Sequence, residues 1–268
     1  MTYTDISLDQ KLGDVFPFDQ LPQPALQQLA KDSQLLRYRL GQPILRREAM
    51  PHQVIVILEG QGRLLGYDPY KKTPMTLELL KPKSVVGLAS LVRGVPCEGV
   101  NASSEMTAIA LPVSAVRQLI GTHPEFAQSI TNYAYLAEVF DLVGQYFQAQ
   151  ARTVNDLART ARKLQEIAVP MTARAGRVAI DNPDPNQLWF VSSQSIMSHP
   201  AGSWLLPEMM DGRINSHRNT RLIGLDMRQL ATQSVPTPVD TAGDQSSSTA
   251  ATNGYADTAG GALVNGNG

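Results

Sequence analysis

One segment, residues 81–112, combines a glycine, small residues and a lone cysteine in a pattern that could bind an anion. Its sequence, KPKSVVGLASLVRGVPCEGVNASSEMTAIALP, predicts a strand, a short helical turn and a second strand. The first residues of a helix leave backbone N–H groups without partners, and such groups bind anions. The segment is therefore the first candidate for a binding site.

The cysteine in this segment does not have the neighbours that catalysis needs. A thiol nucleophile requires a paired histidine, and the four histidines are isolated from one another in the sequence: His52, His123, His199 and His217. We therefore interpret Cys97 as a small buried side chain. One cysteine also excludes an internal disulfide framework and suits a reducing compartment.

The sequence also contains no good candidate for a metal site, a dinucleotide site or a nucleic-acid interface. Only Glu48 lies at ligand spacing from a histidine, His52, and Pro51 between them disfavours a shared helical face, so no metal site is expected. The glycines of GQGRLLG lie between two predicted strands, where a hairpin turn explains them better than a dinucleotide fingerprint. No nucleic acid partner is expected, because the net charge is −1.

Four basic residues near the middle of the chain could form a patch, but acidic residues alternate with them. They are Arg152, Arg159, Arg162 and Lys163. Asp156 and Glu166 lie among them, so a solvated helix face is the preferred interpretation.

The elements that must position the segment indicate an α+β fold, in which a β-roll (jelly roll) is followed by a long helix and a small β-rich segment. Short alternating strands with frequent turn signals predict the roll. We expect an N-terminal arm over 1–14, the roll over 15–122, a long helical segment over 123–169, a β-rich extension over 170–230 and a disordered tail over 231–268. The tail is poor in residues that could bury apolar area. No stretch is long and apolar enough to span a membrane.

The helical segment contains a heptad-like apolar seam, and a break is allowed near Asn155. The seam residues are Phe126, Ile130, Tyr133, Ala137, Phe140, Gly144, Phe147, Ala151, Val154, Ala158 and Ala161. A seam left uncovered would favour a homodimer through the 124–168 helix. The alternative is that the helix folds back onto its own roll and the later strands cover the rest.

This order of elements resembles the cyclic nucleotide-binding domain, the fold of catabolite activator proteins and kinase regulatory subunits. The resemblance covers residues 15–165. VILEGQGRLL matches the turn signature of that family through Glu59, Gly60 and Gly62, and the 81–112 segment matches its phosphate-binding cassette. The cassette positions are Gly87, Leu88, Ala89, Ser90, Leu91, Pro96 and Cys97.

Two of these positions lack the residues that the resemblance associates with ligand chemistry. The family cassette reads Gly-Glu-(Leu/Ile)-Ala-Leu, then Pro-Arg-Ala-(Ala/Thr), where the Glu accepts the ribose hydroxyl and the Arg neutralises the cyclic phosphate. Leu88 stands in place of that Glu, and Cys97 stands in place of that Arg. A thiol cannot replace a charge-assisted arginine contact. Binding of cAMP or cGMP is therefore not expected, and no cofactor is predicted.

A narrower resemblance joins the cassette to EFAQSITNYAYLAEVFDLVGQ, LWFVSSQSIMSHPAGSWL and RLIGL. Together these segments resemble the cytoplasmic N-terminal extension of cyanobacterial peptidase-containing ABC exporters of the haemolysin-secretion type. The chain has no peptidase cysteine motif, membrane helix or Walker sequence, so transport and ATP hydrolysis are not carried over. The resemblance implies association with a membrane transporter.

The sequence favours a non-enzymatic regulatory or binding module in the cytoplasm that contacts a protein partner, and a second copy of the chain is one such partner. A small-ligand sensor, whose pocket binds a cyclic nucleotide or another small anion, is the alternative. An enzyme has no supporting set of residues.

Overall fold

The structure is a computed structural model that describes residues 7–180, 183–233 and 235–236. The helices are α1 (Leu8–Gly13), α2 (Gln23–Asp32), α3 (Leu88–Arg93), α4 (Val113–Thr122), α5 (Pro124–Thr131), α6 (Leu136–Ala149), α7 (Leu157–Ile167) and α8 (Met227–Thr232). The strands are β1 (Gln34–Tyr38), β2 (Pro43–Leu45), β3 (Gln53–Glu59), β4 (Gly62–Tyr67), β5 (Pro74–Leu80), β6 (Val85–Val86), β7 (Gly99–Ala102), β8 (Met106–Pro112), β9 (Arg152–Thr153), β10 (Val169–Ala173), β11 (Gly176–Ala179), β12 (Gln187–Val191), β13 (Trp204–Leu205), β14 (Asp211–Ser216), β15 (Thr220–Asp226) and β16 (Val235–Pro236).

The first eight strands form the predicted roll, which confirms the α+β class. Two four-stranded antiparallel sheets have the strand orders β1-β8-β3-β6 and β2-β7-β4-β5. The candidate segment runs through both sheets as β6, α3, β7 and β8. The predicted second strand is thus two strands, which a turn at residues 103–105 separates.

Alternating side chains give the first sheet two buried faces. On β3, Ile55 and Ile57 face a cluster that includes residues of α6 and α7, and we name this cluster the central core. Val54 and Val56 face the other way, toward a cluster with residues of α1, α2, α4 and α5. Strand side chains alternate between faces with a period of two, so one apolar run serves both clusters. Leu12 of α1 is fully buried in the second cluster, so the predicted arm over 1–14 packs against the roll from Leu8 onward.

The Glu59–Gly62 turn is not the hairpin that the sequence predicts. β3 pairs with β6 and β8, whereas β4 pairs with β5 and β7, so the turn carries the chain from one sheet to the other. Gly60 has φ +80°, and a Cβ there would overlap the Glu105 carbonyl oxygen. The Gln61 N–H donates to Ser104 Oγ at 2.9 Å, which fixes the corner against the 103–105 turn.

The predicted long helix over 123–169 is three helices, α5, α6 and α7. The break near Asn155 is confirmed, but the break at residues 132–135 was not predicted. There the Thr131 and Tyr133 carbonyl oxygens accept hydrogen bonds from the Arg221 guanidinium at 2.6 Å each. Before α7, Ala151 takes φ +49° and Asp156 caps the new helix by accepting the Arg159 N–H at 2.9 Å. Tertiary contacts therefore override the continuous helical pattern.

The apolar seam is covered within the chain. Phe126, Ile130, Phe140 and Phe147 are at most 2% exposed, whereas Tyr133 is 44% exposed. The exposed stripe on which the expected homodimer depended is therefore not present. The alternative, in which the helical segment folds back on the roll and later strands cover it, agrees with this burial. Arg159, Arg162 and Lys163 are exposed on α7, as expected of a solvated helix face. Arg152 was expected on the same face, but it lies in β9.

The β-rich extension forms a third four-stranded antiparallel sheet, with strand order β10-β15-β12-β13, and a separate β11–β14 pair. The consecutive strands β11 and β12 therefore lie in different sheets. On β12, Leu188 and Phe190 join the central core, whereas Trp189 and Val191 belong to a cluster of the extension itself. The extension thus shares its core with α6 and α7.

The predicted disordered tail begins too early at residue 231. Helix α8 continues to Thr232, and β16 pairs with β9. The remainder of the predicted tail, from 237 onward, lies outside the described residues.

Candidate functional site

The cassette is built around a glycine that begins α3. Gly87 has φ +100°, and a Cβ there would lie 3.0 Å from the Gln53 carbonyl oxygen, so this position favours glycine. Helix α3 then runs from Leu88 to Arg93. The predicted residues Gly87, Leu88, Ala89, Ser90, Leu91, Pro96 and Cys97 come together here. Glu59, Gly60 and Gly62 lie apart from them, at the corner between the two sheets.

The Glu98 carboxylate occupies the backbone donors at the start of α3. Its Oε1 accepts the Gly87 N–H at 2.8 Å, and its Oε2 accepts the Ser90 N–H at 2.9 Å. The residue is 5% exposed. Burial raises the pKa of Glu98, and the hydrogen bonds from Ser90 and Gly87 oppose that rise. The position that an anion could take is therefore filled by a carboxylate of the chain.

Cys97 is a buried side chain, as predicted. It is 2% exposed, and its N–H donates to Ser90 Oγ at 3.2 Å. The Cys97 Sγ lies 3.7 Å from the same hydroxyl oxygen. Burial raises the pKa of the thiol to about 12, so little thiolate is present near neutral pH.

The arginine at the end of α3, Arg93, has a guanidinium that lies beside Cys97 and also contacts α6 and the extension. Arg93 is 2% exposed; its Nε donates to the Ser192 carbonyl oxygen at 3.2 Å, and its Nη1 lies 3.3 Å from Asp141 Oδ2. Asp141 also pairs with Arg47. Arg93 therefore connects the end of α3 to α6 and to the loop after β12.

A second buried ion pair joins α6 to the extension. Arg221 Nε donates to Glu138 Oε1 at 2.7 Å and its Nη2 donates to Glu138 Oε2 at 2.8 Å. Ser192 Oγ donates to the same Oε1 at 2.5 Å. Both members of the pair are at most 3% exposed. Such a bidentate pair fixes geometry as well as charge, so β15 determines where α6 begins.

A cavity of about 250 Å³, which we name the α3 cavity, lies between the roll, α3 and the helical segment. Its walls are apolar side chains from all three parts: Leu64, Leu80, Val85, Val86, Leu88, Ala89, Leu136 and Ala137. The groups with rings or polar atoms are Phe16, Glu78, Lys83, Glu98, Tyr133, Tyr135 and Gln165. Pro17 completes the lining. The cavity is thus mostly apolar, with the Glu98 carboxylate in one wall.

Sequence reasoning missed Glu98, Glu138 and Arg221. A signal for Glu98 was present, since it stands where the family cassette has an alanine, and a charged residue there is a departure as large as Cys97. The other two had no local signal, because their partners lie far along the chain.

Within the described residues, no group of three or more His, Cys, Asp or Glu side chains is arranged to hold a metal ion. None of the described helices has the length and apolar character that crossing a membrane requires.

Solved structures similar to the chain include cyclic nucleotide-binding domains. The sensor domain of the transcriptional regulator DNR from Pseudomonas aeruginosa is 16% identical over 46% of this chain and 86% of its own, with a TM-score of 0.41. The regulatory domain of Toxoplasma gondii PKA, co-crystallised with cAMP, is 12% identical over 86% and 94%, with a TM-score of 0.42.

A cyclic nucleotide-binding-like protein from Brucella abortus is 21% identical over 42% of this chain and 97% of its own, with a TM-score of 0.37. No protein-family model matches the chain, and no curated protein matches it significantly. The fold of the roll follows from the strand pairing of this chain.

Proposed function

We propose that the chain is a non-enzymatic regulatory module whose nucleotide-binding-like pocket does not take a cyclic nucleotide. The observation that carries this proposal is the Glu98 carboxylate, which accepts the Gly87 and Ser90 N–H groups. A cyclic phosphate at the same donors would face a buried carboxylate. Bringing two negative groups together away from water is strongly unfavourable.

Two further contacts support the proposal. Cys97 supplies no positive charge at the position where the family cassette has its arginine. The one arginine of α3, Arg93, is held by Asp141 and by the Ser192 carbonyl oxygen. Neutralising a phosphate would require a cation that is not already engaged elsewhere.

The output that we assign is a contact with a protein partner, and it follows from the sequence resemblance to regulatory domains. Association with an ABC export system rests on that resemblance alone. We also assign the chain to the cytoplasm, on the basis of its single cysteine. A homodimer through the helical segment has no support from burial, because the seam residues pack inside the chain.

A small-ligand sensor is the second candidate, and the α3 cavity favours it. The cavity contacts the roll, α3 and α6 together, so a molecule bound there would touch the parts that a regulatory domain must move relative to one another. A ligand of this kind need not be an anion.

Isothermal titration with cAMP and cGMP tests the first proposal. For the wild-type chain we expect no saturable binding below millimolar concentration. The triple variant Leu88→Glu/Cys97→Arg/Glu98→Ala clears the donors and restores both family residues, so we expect its affinity for cAMP to rise by at least about tenfold.

Glu105→Ala removes an exposed glutamate outside the cassette and is the matched control, which should bind as the wild type does. Micromolar binding by the wild-type chain would refute the proposal. A triple variant that folds, as judged by circular dichroism, and still gains no affinity would show that the cassette positions were assigned wrongly.

A further inference from the structure

The α3 cavity has the features of a binding site for a positively charged molecule. We propose that it binds a small organic cation, with one ammonium group on a compact apolar or aromatic body. The inference rests on the proposed function, in which the site takes no cyclic nucleotide, and it names a ligand class for the sensor candidate.

The charge of the cavity wall is the first support. Glu98 is buried, and each of its oxygen atoms accepts one backbone N–H. The Ser90 hydroxyl and the Ala89 N–H also interact with this carboxylate. All of these partners are neutral donors, so none of them supplies a positive charge. Among the described residues, none of the ion pairs includes Glu98.

The other charged groups of the cavity lie at its open side. Glu78 and Lys83 are both exposed. Their opposite charges are screened by solvent, whereas the Glu98 carboxylate is not. The charge that a bound ligand meets inside the cavity is therefore negative, and an ammonium group would supply the missing counter-charge.

Aromatic rings at the mouth are the second support. The ring of Tyr133 lies 5.9 Å from that of Phe16 and 4.9 Å from that of Tyr135, measured between centroids. Ring faces attract cations, and desolvated sites strengthen that attraction. The Arg221 guanidinium already lies 5.8 Å from the Tyr135 ring centroid. The rings free to meet a ligand cation are thus those of Phe16 and Tyr133, which are 50% and 44% exposed.

Size and wall chemistry limit the remainder of the ligand. The cavity volume of about 250 Å³ lies below the ~300–1,000 Å³ typical of drug-sized ligands. Its walls are mainly Leu, Val and Ala side chains, which favour an apolar body. A neutral molecule of that shape would leave the Glu98 carboxylate without a counter-charge, and an anion would be repelled by it.

Three probes of closely similar shape test the proposal: phenethylammonium, 2-phenylethanol and 3-phenylpropionate. Titration calorimetry with the full chain at pH 7 should show phenethylammonium binding at least about tenfold more tightly than the alcohol. The carboxylate probe should not bind. Equal affinity for the cation and the alcohol, or no binding of any probe, would overturn the proposal.

The variant Glu98→Gln keeps the size of the side chain and removes its charge, so it should weaken cation binding about tenfold and leave the alcohol within about threefold. An unchanged preference in the folded variant would overturn the role of Glu98. If this variant does not fold, the wild-type ranking of the three probes decides alone. Titration with cAMP in the same series separates the two proposals: cAMP binding refutes the proposed function, whereas failure of both cAMP and the cation refutes only this inference.

Discussion

At the scale of single residues, Glu98 decides the character of the pocket. Its carboxylate accepts two backbone N–H groups that would otherwise be free to meet a ligand. These bonds stabilise α3, but they do so with a charge that burial disfavours. One side chain therefore completes the local structure and, in the function proposed above, keeps anions out of it.

The stability of the protein should consequently depend on pH through Glu98. Burial raises the pKa of this carboxyl above its ordinary value of 4.5. Between that value and the raised pKa, the native state binds more protons than the unfolded chain, so the free energy of unfolding falls as pH rises. Glu98→Gln removes this dependence, because the amide does not titrate.

Urea unfolding of both proteins between pH 5 and pH 7.5 checks this expectation. The free energy of unfolding of the wild-type chain, relative to that of Glu98→Gln, should decrease as the pH increases. A relative stability that rises with pH would show that the two backbone hydrogen bonds outweigh burial and lower the pKa instead.

The residues of the site were only partly accessible from the sequence. Leu88 and Cys97 were visible as departures from a known motif, and the burial of Cys97 followed from its lack of catalytic neighbours. Glu98 was in the same motif but was overlooked. Arg93 could not be assigned, because its acceptor, Ser192, is 99 residues away.

At the scale of elements, the corner at Gly60 holds the two sheets of the roll together. A side chain at this position would meet both an unfavourable φ of +80° and the backbone of the 103–105 turn. Gly41 has the same φ, but nothing lies within 4 Å of its Cβ position. Substitutions at Gly41 and Gly60 can therefore be compared to separate the cost of the backbone conformation from the cost of steric overlap.

We expect Gly41→Ala to lower the free energy of unfolding by about 1–2 kcal/mol, which is the usual cost of a left-handed conformation. Gly60→Ala should cost at least about 2 kcal/mol more, because the backbone around it must also move. Urea denaturation measures both. Equal losses for the two variants would mean that the corner adapts without cost.

Strands were predicted more reliably than helix limits, for a physical reason. The short apolar run of β3 and the partial alternation of β5 are local signals, because each can be read from a few consecutive residues. The break between α5 and α6 depends on Arg221, whose guanidinium takes the carbonyl groups of Thr131 and Tyr133. The sequence around residues 124–149 cannot reveal this break, because Arg221 lies far along the chain.

At the scale of the whole molecule, the extension and the helical segment are one packing unit. The Tyr146 ring of α6 lies 5.5 Å from the Phe190 ring and 5.1 Å from the Trp204 ring, and both of these residues belong to the extension. The buried pair of Glu138 and Arg221 adds a polar connection. The boundary predicted at residue 170 followed a change in composition, and it does not separate the cores.

The two tryptophans, Trp189 and Trp204, both lie in the extension, so their fluorescence reports the unfolding of the extension and the loss of its contact with α6. Far-ultraviolet circular dichroism reports the whole chain. Because the core is shared, we expect the two urea transitions to coincide in midpoint and slope. An earlier fluorescence transition would show that the extension unfolds by itself.

The hydrogen bond from Arg93 to the Ser192 carbonyl oxygen joins α3, which lines the cavity, to the loop after β12. A molecule that binds more tightly when this contact is formed must strengthen the docking of the extension by the same free energy. A protein that pulls the extension away must weaken that molecule's binding by the same factor. If ligand affinity depends on this contact, the affinity of the α3 cavity changes with the position of the extension, which the ligand does not touch.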